Sequence, residues 1–407
     1  MSNLHLEDLS EVELSAFFHE YIHFLQDIMT TSGLFNIYVI NEYFRLVATK
    51  YAIRDDFKLP IQIEDNTGNV LLNQYINMTM QGGNLGFDAP SIKIDDLRNV
   101  SKSCSLLVQN GINNLPVIEF LFCGKWLNFG ALEIKESMAY ILQRQCTKSY
   151  QSPDYPYMMA EKIAEFICPD FAKDIENVLA LCDVSLLTDQ PGAYFVNYIK
   201  QIQKGTIQIK QPEDIYEHFY GIVGKECNGK QVTSMQHYEN LYHAAKVALK
   251  SYIAIPCLKY RLNRWIDLVF DTGLQIRNTD KYFFLKLARQ GTDLLKNNLF
   301  AQYFNILGSP YIHNNKGEYG KFPSNPEIGD SLQYILAILP IFRTFTEGVM
   351  DINGQLIECY LKPFCVSSNQ EINNDCITPW VKINDKKLCP VATIWKHRKL
   401  ANTNIVI

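Results

Sequence analysis

The sequence has no long hydrophobic run, no excess of basic residues and no cysteine pair in C-x-x-C spacing. Its longest apolar run, 334–342, is interrupted by Pro340 and is far shorter than the roughly 20 residues of a membrane span. Against 43 Asp and Glu there are 38 Lys and Arg, which leaves a net charge of −5. A mildly acidic chain is a poor partner for nucleic acid or an anionic membrane, so we expect neither as a partner.

Internal repeats and low-complexity linkers are also missing, and we expect no secretory signal. The first fifteen residues have no basic segment followed by an apolar one, and the eleven cysteines are an odd number. We therefore expect a cytoplasmic protein with reduced thiols. There is no phosphate-binding glycine loop and no G-x-S-x-G motif. With 47% apolar residues among 407, the chain can fold around a large core.

The hydrophobic pattern predicts a helix-dominated α+β protein. Ser10 and Glu13 form a capping box ahead of a helix expected over 10–31, and Gly33 is a plausible stop before a second helix over 34–52. Residues 58–80 resemble a β-hairpin and 117–122 a strand. Further helices are expected near 131–146, 157–167, 192–203, 213–224, 232–252, 259–270, 281–299 and 329–345.

This pattern suggests three segments. Residues 1–150 are expected to form the functional core with a small sheet, residues 151–345 a mostly helical domain that completes a cleft or docks partners, and residues 346–407 a mixed, irregular C-terminal segment.

The first helix contains His19-Glu20-Tyr21-Ile22-His23, an H-E-x-x-H motif. Residues i and i+4 lie on one face of a helix, so His19 and His23 can each place a ring nitrogen about 2.0–2.1 Å from one Zn²⁺. Glu20 is one step around the helix, where it can act on a water without ligating the metal. The motif thus predicts one zinc ion per chain, with Glu20 as general base.

A catalytic zinc site keeps three protein ligands and leaves the fourth position to water. The metzincin pattern H-E-x-x-H-x-x-G-x-x-H is excluded, because Gln26 and Met29 stand where its glycine and third histidine belong. The candidates for the third ligand are therefore downstream. Glu136 and, less favoured, Glu133 lie three residues apart on the predicted helix 131–146.

The H-E-x-x-H motif followed by Glu136-Ser137-Met138-Ala139 resembles the gluzincin branch of the zincin metallopeptidases. The resemblance covers these two short segments. It implies a zincin-like catalytic core in which His19, His23 and Glu136 hold zinc and Glu20 is the catalytic base. The gap of about 113 residues between His23 and Glu136 is longer than in compact members of that branch, so 58–122 would be an insertion or the zincin sheet itself.

Two supporting roles follow from position. Asp27 lies four residues after His23 and is a candidate to orient it or, less favoured, to ligate the metal; the alternative is an ordinary exposed acid. The oxyanion of a peptidase intermediate also needs a hydrogen-bond donor, and the polar, aromatic stretch 237–243 offers His237, Tyr238, Tyr242 and His243.

The C-terminal segment concentrates soft metal ligands at Cys359, Cys365, Cys376, Cys389 and His397. Their spacings are not the short paired spacings of zinc ribbons, so buried free thiols are favoured over a second metal.

The leading functional hypothesis is a zinc-dependent metallopeptidase with narrow specificity for a protein or peptide substrate. That substrate is expected to bind along an edge strand, at 74–80 or 117–122. The alternatives are a non-catalytic binding or scaffold protein with a structural or inactive site, and a metal hydrolase acting on a non-peptide bond. The oligomeric state stays open.

Overall fold

The computed structural model describes residues 6–51, 56–61, 68–83, 89–148, 152–222, 225–227, 230–252 and 256–309, and shorter stretches between 312 and 406. The α-helices up to residue 307 are α1 (Glu11–Met29), α2 (Thr31–Tyr51), α3 (Gly68–Gln81), α4 (Ser105–Gln109), α5 (Ala131–Cys146), α6 (Met159–Ile167), α7 (Pro169–Ala172), α8 (Ile175–Leu186), α9 (Pro191–Gln203), α10 (Glu213–Gly221), α11 (Ser234–Tyr252), α12 (Pro256–Thr279), α13 (Phe283–Ala288) and α14 (Asn298–Leu307).

Three more helices are described in the C-terminal part: Ile338–Glu347, Lys362–Ser367 and Pro390–His397. The strands are β1 (Asp56–Lys58), β2 (Asp96–Lys102), β3 (Leu115–Phe122), β4 (Lys125–Phe129), β5 (Lys225–Cys227), β6 (Lys230–Val232), β7 (Ile312–His313), β8 (Tyr319–Gly320) and β9 (Asn404–Val406). The helix-dominated α+β class is thus confirmed. Among the described helices, none combines the length and the apolar character that crossing a membrane requires.

A small antiparallel sheet with strand order β2-β3-β4 precedes α5. Its last strand ends at Phe129, two residues before α5 begins, so the sheet fixes where the Glu136 helix starts. Because β3 is hydrogen-bonded on both sides, the predicted strand 117–122 is not an edge and cannot accept a substrate strand.

The predicted hairpin over 58–80 is wrong in its described second half, which is the helix α3. Leu72, Tyr75, Ile76 and Met80 recur at helical rather than alternating spacing, and they pack together in a satellite core with Leu107 and Leu115. The second expected substrate edge, 74–80, is therefore part of a helix and cannot accept a substrate strand either. The short strand β1 pairs in parallel with β9, far along the chain.

The long helix α1 begins as predicted. The backbone N–H of Ser10 donates to Glu13, and Ser10 Oγ accepts from the Glu13 N–H, which completes the capping box. It ends at Met29, and the chain turns at Thr30 directly into α2, so Gly33 lies inside α2 and does not stop α1. A Cβ at Gly33 would lie 2.4 Å from the Cα of Asp27, which explains the glycine at this tight corner.

The core is continuous through the described chain. One hydrophobic cluster contains residues of all three predicted segments, from Phe17 to Leu400. Within it, α1 packs against α2, α5 and α12. The predicted helix over 281–299 is divided in two, because α13 ends at Ala288 and α14 begins at Asn298. The predicted helix over 329–345 is described from Ile338 to Glu347.

Candidate metal centre

The helix α1 presents the two histidines of the H-E-x-x-H motif on one face. Phe18, Ile22 and Leu25 of α1 are buried in the core, which fixes the rotation of the helix about its axis. His19 and His23 are one turn apart, with ring centroids separated by 4.7 Å. His19 is buried and His23 half-buried, so the pair lies at the rim of the core.

The helix α5 brings Glu136 to these histidines. Glu136 Oε2 lies 3.2 Å from Nε2 of His19 and 3.4 Å from Nε2 of His23, and the two Nε2 atoms are 3.1 Å apart. A tetrahedral zinc site with ligands at about 2.0–2.1 Å has ligand–ligand edges of roughly 3.3 Å. The three atoms therefore form a triangle that one ion can cap with a position left for a fourth ligand.

Among the described residues, the ligand atoms of His19, His23 and Glu136 all lie within 4.8 Å of one another, close enough to share one metal ion. The sequence motif and the fold thus select the same residues, and the group can hold a metal ion.

The charges at the site suit a cation. Burial alone would raise the pKa of Glu136, but hydrogen bonds and charge from His19 and His23 outweigh it and hold that pKa at about 2. Burial would lower the pKa of His23, yet the hydrogen bond and charge of Glu136, with smaller contributions from Gln26 and Glu20, raise it. A positive charge is therefore favoured between these side chains, and a metal ion can supply it in place of a proton.

Glu133 has a structural role, which corrects its place among the candidate site residues. It is fully buried at the start of α5, where Oε2 accepts the backbone N–H of Gly130 at 2.9 Å and Oε1 accepts the hydroxyl of Tyr155 at 3.2 Å. It therefore caps α5 and is not part of the metal-binding group. Burial in this pocket raises the pKa of Glu133 to about 8.

The residue that orients His23 is Gln26, not Asp27. Gln26 Oε1 lies 2.8 Å from His23 Nδ1, while its amide donates to the backbone carbonyl of Lys135 at 3.0 Å. Asp27 is half-exposed and instead accepts a hydrogen bond from Lys135 Nζ at 2.8 Å. In the sequence, Gln26 stands out only as a departure from the metzincin pattern, because the carbonyl that completes its role belongs to another helix.

Glu20 follows His19 with an exposed side chain. It is close enough to His23 for its charge to raise the pKa of that histidine. Its carboxylate therefore lies near His23 without being part of the metal-binding group.

None of the candidate oxyanion donors in the stretch 237–243 has a described contact with His19, His23 or Glu136. Tyr238 donates its hydroxyl to the carbonyl of Ile28, the Tyr242 hydroxyl donates to Asp271, and His237 pairs with Asp189 at 2.7 Å. The aromatic residue that does contact the centre is Tyr157, whose ring packs edge-on against His19 with centroids 5.5 Å apart. Only its proximity in the fold reveals it, since its sequence surroundings carry no motif.

No protein-family model, curated protein or solved structure matches this chain.

Proposed function

We propose that this chain is a zinc-dependent metallopeptidase with a zincin-like centre of the gluzincin type. The observation that carries the proposal is the triangle of His19 Nε2, His23 Nε2 and Glu136 Oε2, with edges of 3.1–3.4 Å, on a helix that also carries Glu20. Two imidazoles and one carboxylate are a ligand set of catalytic zinc in peptidases.

Each side chain then has a role. His19, His23 and Glu136 would hold the ion, which would supply the Lewis acidity that activates water near neutral pH. Glu20 takes the proton from the attacking water and later gives it to the leaving amine. Tyr157, beside His19, is the candidate donor to the developing oxyanion.

The first experiment is metal stoichiometry by elemental analysis of the purified chain and of Glu136→Gln and His19→Ala/His23→Ala variants. A zinc content per chain that is lower in both variants than in the unaltered chain supports the ligand set. Retention of the same zinc content in His19→Ala/His23→Ala would contradict it.

The second experiment separates catalysis from metal binding. Glu20→Gln should keep the zinc content and lose peptide hydrolysis, measured by mass spectrometry of new N-termini in a mixed peptide library. Glu165→Gln, which changes an exposed glutamate on α6, is the matched control and should retain both. Zinc without hydrolysis in the unaltered chain would favour the non-catalytic binding protein instead.

A further inference from the structure

A cavity of about 500 Å³ lies where four helices meet, and none of its lining residues belongs to the metal centre. Tyr220 of α10, Met235 of α11, Arg277 of α12 and Lys286 of α13 line it, together with Lys281 between α12 and α13. Sites for small organic ligands have volumes of about 300–1,000 Å³. The cavity is therefore large enough to hold a ligand of that kind.

One wall of the cavity is held by buried contacts. Arg277 is only 2% exposed, and its guanidinium donates to both carboxylate oxygens of Asp183 and to the carbonyl of Met29. Since Asp183 balances the charge of Arg277 inside the core, this arginine shapes the cavity without needing a ligand. The groups that can bind a ligand are the other polar side chains of the lining.

Two lysines of the lining have exposed partners. Lys281 Nζ lies 2.8 Å from the carboxylate of Glu217, and Lys286 Nζ lies 2.9 Å from both carboxylate oxygens of Asp280. The side chains of Glu217 and Lys286 are 55% and 52% exposed. Ion pairs exposed to this degree are weak, so both ammonium groups can turn to an anion in the cavity.

The hydroxyl of Tyr220 lacks a partner. Within the described chain this oxygen is buried and takes part in no hydrogen bond. Burial raises the pKa of Tyr220 to about 12, so the hydroxyl keeps its proton at neutral pH and can donate it. Leaving a buried donor without an acceptor costs free energy. An acceptor oxygen of a ligand in the cavity can remove that cost.

Aromatic rings lie on two sides of the Lys281 ammonium. Its Nζ is 5.6 Å from the ring centroid of Tyr220 and 5.2 Å from that of Tyr282, and both tyrosines line the cavity. The side chain of Met235 adds further apolar surface. Aromatic rings pack well against other planar rings. The cavity thus offers an apolar surface directly beside a cation.

We propose that this cavity binds a small aromatic phosphate ester. A phosphate ester carries a charge of about −1.5 to −2 at neutral pH and three acceptor oxygens, which suits two ammonium groups and one hydroxyl donor. Lys281 and Lys286 bind the phosphate, Tyr220 donates to a ligand oxygen, and the rings of Tyr220 and Tyr282 contact the aromatic group. The site is independent of the zinc centre and uses side chains in place of a glycine loop.

Calorimetric titration of the full chain with phenyl phosphate tests the proposal, and phenol and inorganic phosphate serve as the two halves of the probe. We expect one site per chain, with an affinity for phenyl phosphate at least 10-fold higher than for either half. The affinity should fall as the salt concentration rises. Because zinc can itself bind phosphate, the titration is repeated with a metal chelator, and the affinity should stay the same.

Two variants test the residues. Tyr220→Phe removes a hydroxyl that makes no described hydrogen bond, so the fold should be retained while the affinity for phenyl phosphate falls about 10-fold. Tyr194→Phe is the matched control, because its hydroxyl is also buried and unpartnered but lies outside the cavity lining. Lys281→Met should also weaken binding about 10-fold, whereas Lys296→Met, at an exposed lysine, should not.

Three results would overturn the proposal. The first is the absence of saturable phenyl phosphate binding, or an affinity no higher than that for inorganic phosphate. The second is an equal affinity in Tyr220→Phe and Tyr194→Phe. The third is loss of binding in the presence of the chelator, which would assign the phosphate to the metal centre.

Discussion

The side-chain oxygen of Gln26 lies 2.8 Å from Nδ1 of His23. The same side chain donates to the backbone of Lys135, so one buried amide connects the helix of both histidines with the helix of Glu136. It orients the ring of His23, and it is one of several contacts that join the two helices.

We expect Gln26→Leu to weaken zinc binding by about 10–100-fold, because outer-shell partners of a ligating histidine contribute on this scale. Titration with a competing chelator measures the change. Gln143→Leu is the matched control, since buried Gln143 also bridges α5 and α1, through the backbone and hydroxyl of Ser15, without touching a ligand. Equal zinc affinities of the two variants would count against an orienting role for Gln26.

Metal binding is expected to release a proton. In the metal-free site the pKa of His23 is raised, whereas that of Glu136 is about 2, so Glu136 is already ionised near neutral pH. Zinc requires the neutral imidazole. Zinc affinity should therefore rise with pH until the pH exceeds the raised pKa of His23, and then level off.

Calorimetry in two buffers of different ionisation enthalpy measures the released proton. His218→Asn is a control, because His218 contacts Tyr198 and is not one of the ligands. A binding heat that is the same in both buffers would show that His23 binds zinc without losing a proton.

Gly273 allows α12 to approach the metal-binding helix. A Cβ at this position would lie 2.7 Å from the carbonyl oxygen of Ile28 in the last turn of α1. We expect Gly273→Ala to lower the free energy of unfolding by about 1–3 kcal/mol, because the backbone contact cannot relax as a side chain would. Urea unfolding measures this, and Gly221→Ala, where a Cβ meets open space, should change stability far less.

The ion pair of Asp183 and Arg277 is completely buried, with Arg277 Nη2 at 2.5 Å from Asp183 Oδ1. Removing one partner leaves the other charge buried, so we expect Asp183→Asn and Arg277→Met each to cost about 3–5 kcal/mol. The double variant should lose less than the sum of the two. Urea unfolding of the unaltered chain, the two single variants and the double variant tests this. A double variant that loses as much stability as the two single variants together would show that the two residues are not coupled. The exposed pair Asp170–Lys173 should contribute far less, because solvent and salt screen its charges.

Local rules predicted much of the site. The capping box at Ser10 and the helical spacing after it identified α1, and the i, i+4 geometry placed His19 and His23 on one face. The helix carrying Glu136 was also predicted at 131–146, where the structure has Ala131–Cys146. These features depend on neighbours within a few residues, so a sequence displays them directly.

Other features depend on contacts between distant segments. Whether Glu136 or Glu133 faces the histidines is decided by Gly130 and Tyr155, which bind the Glu133 carboxylate. The choice of Gln26 over Asp27 is decided by Lys135 on another helix, which bonds with both. At 68–81, flanking polar residues suggested a turn and a strand, while packing against Leu107 and Leu115 favours a helix.

The last turn of α1 is held by residues from much later in the chain. Arg277 Nε donates to the carbonyl of Met29 at 2.6 Å, and Tyr238 donates to that of Ile28 at 3.1 Å. During synthesis on a ribosome, His19, His23 and Glu136 all emerge long before these two anchors. The metal ligands are therefore synthesised well before the two residues that hold the end of α1. The centre consequently acquires its final rigidity only late in synthesis.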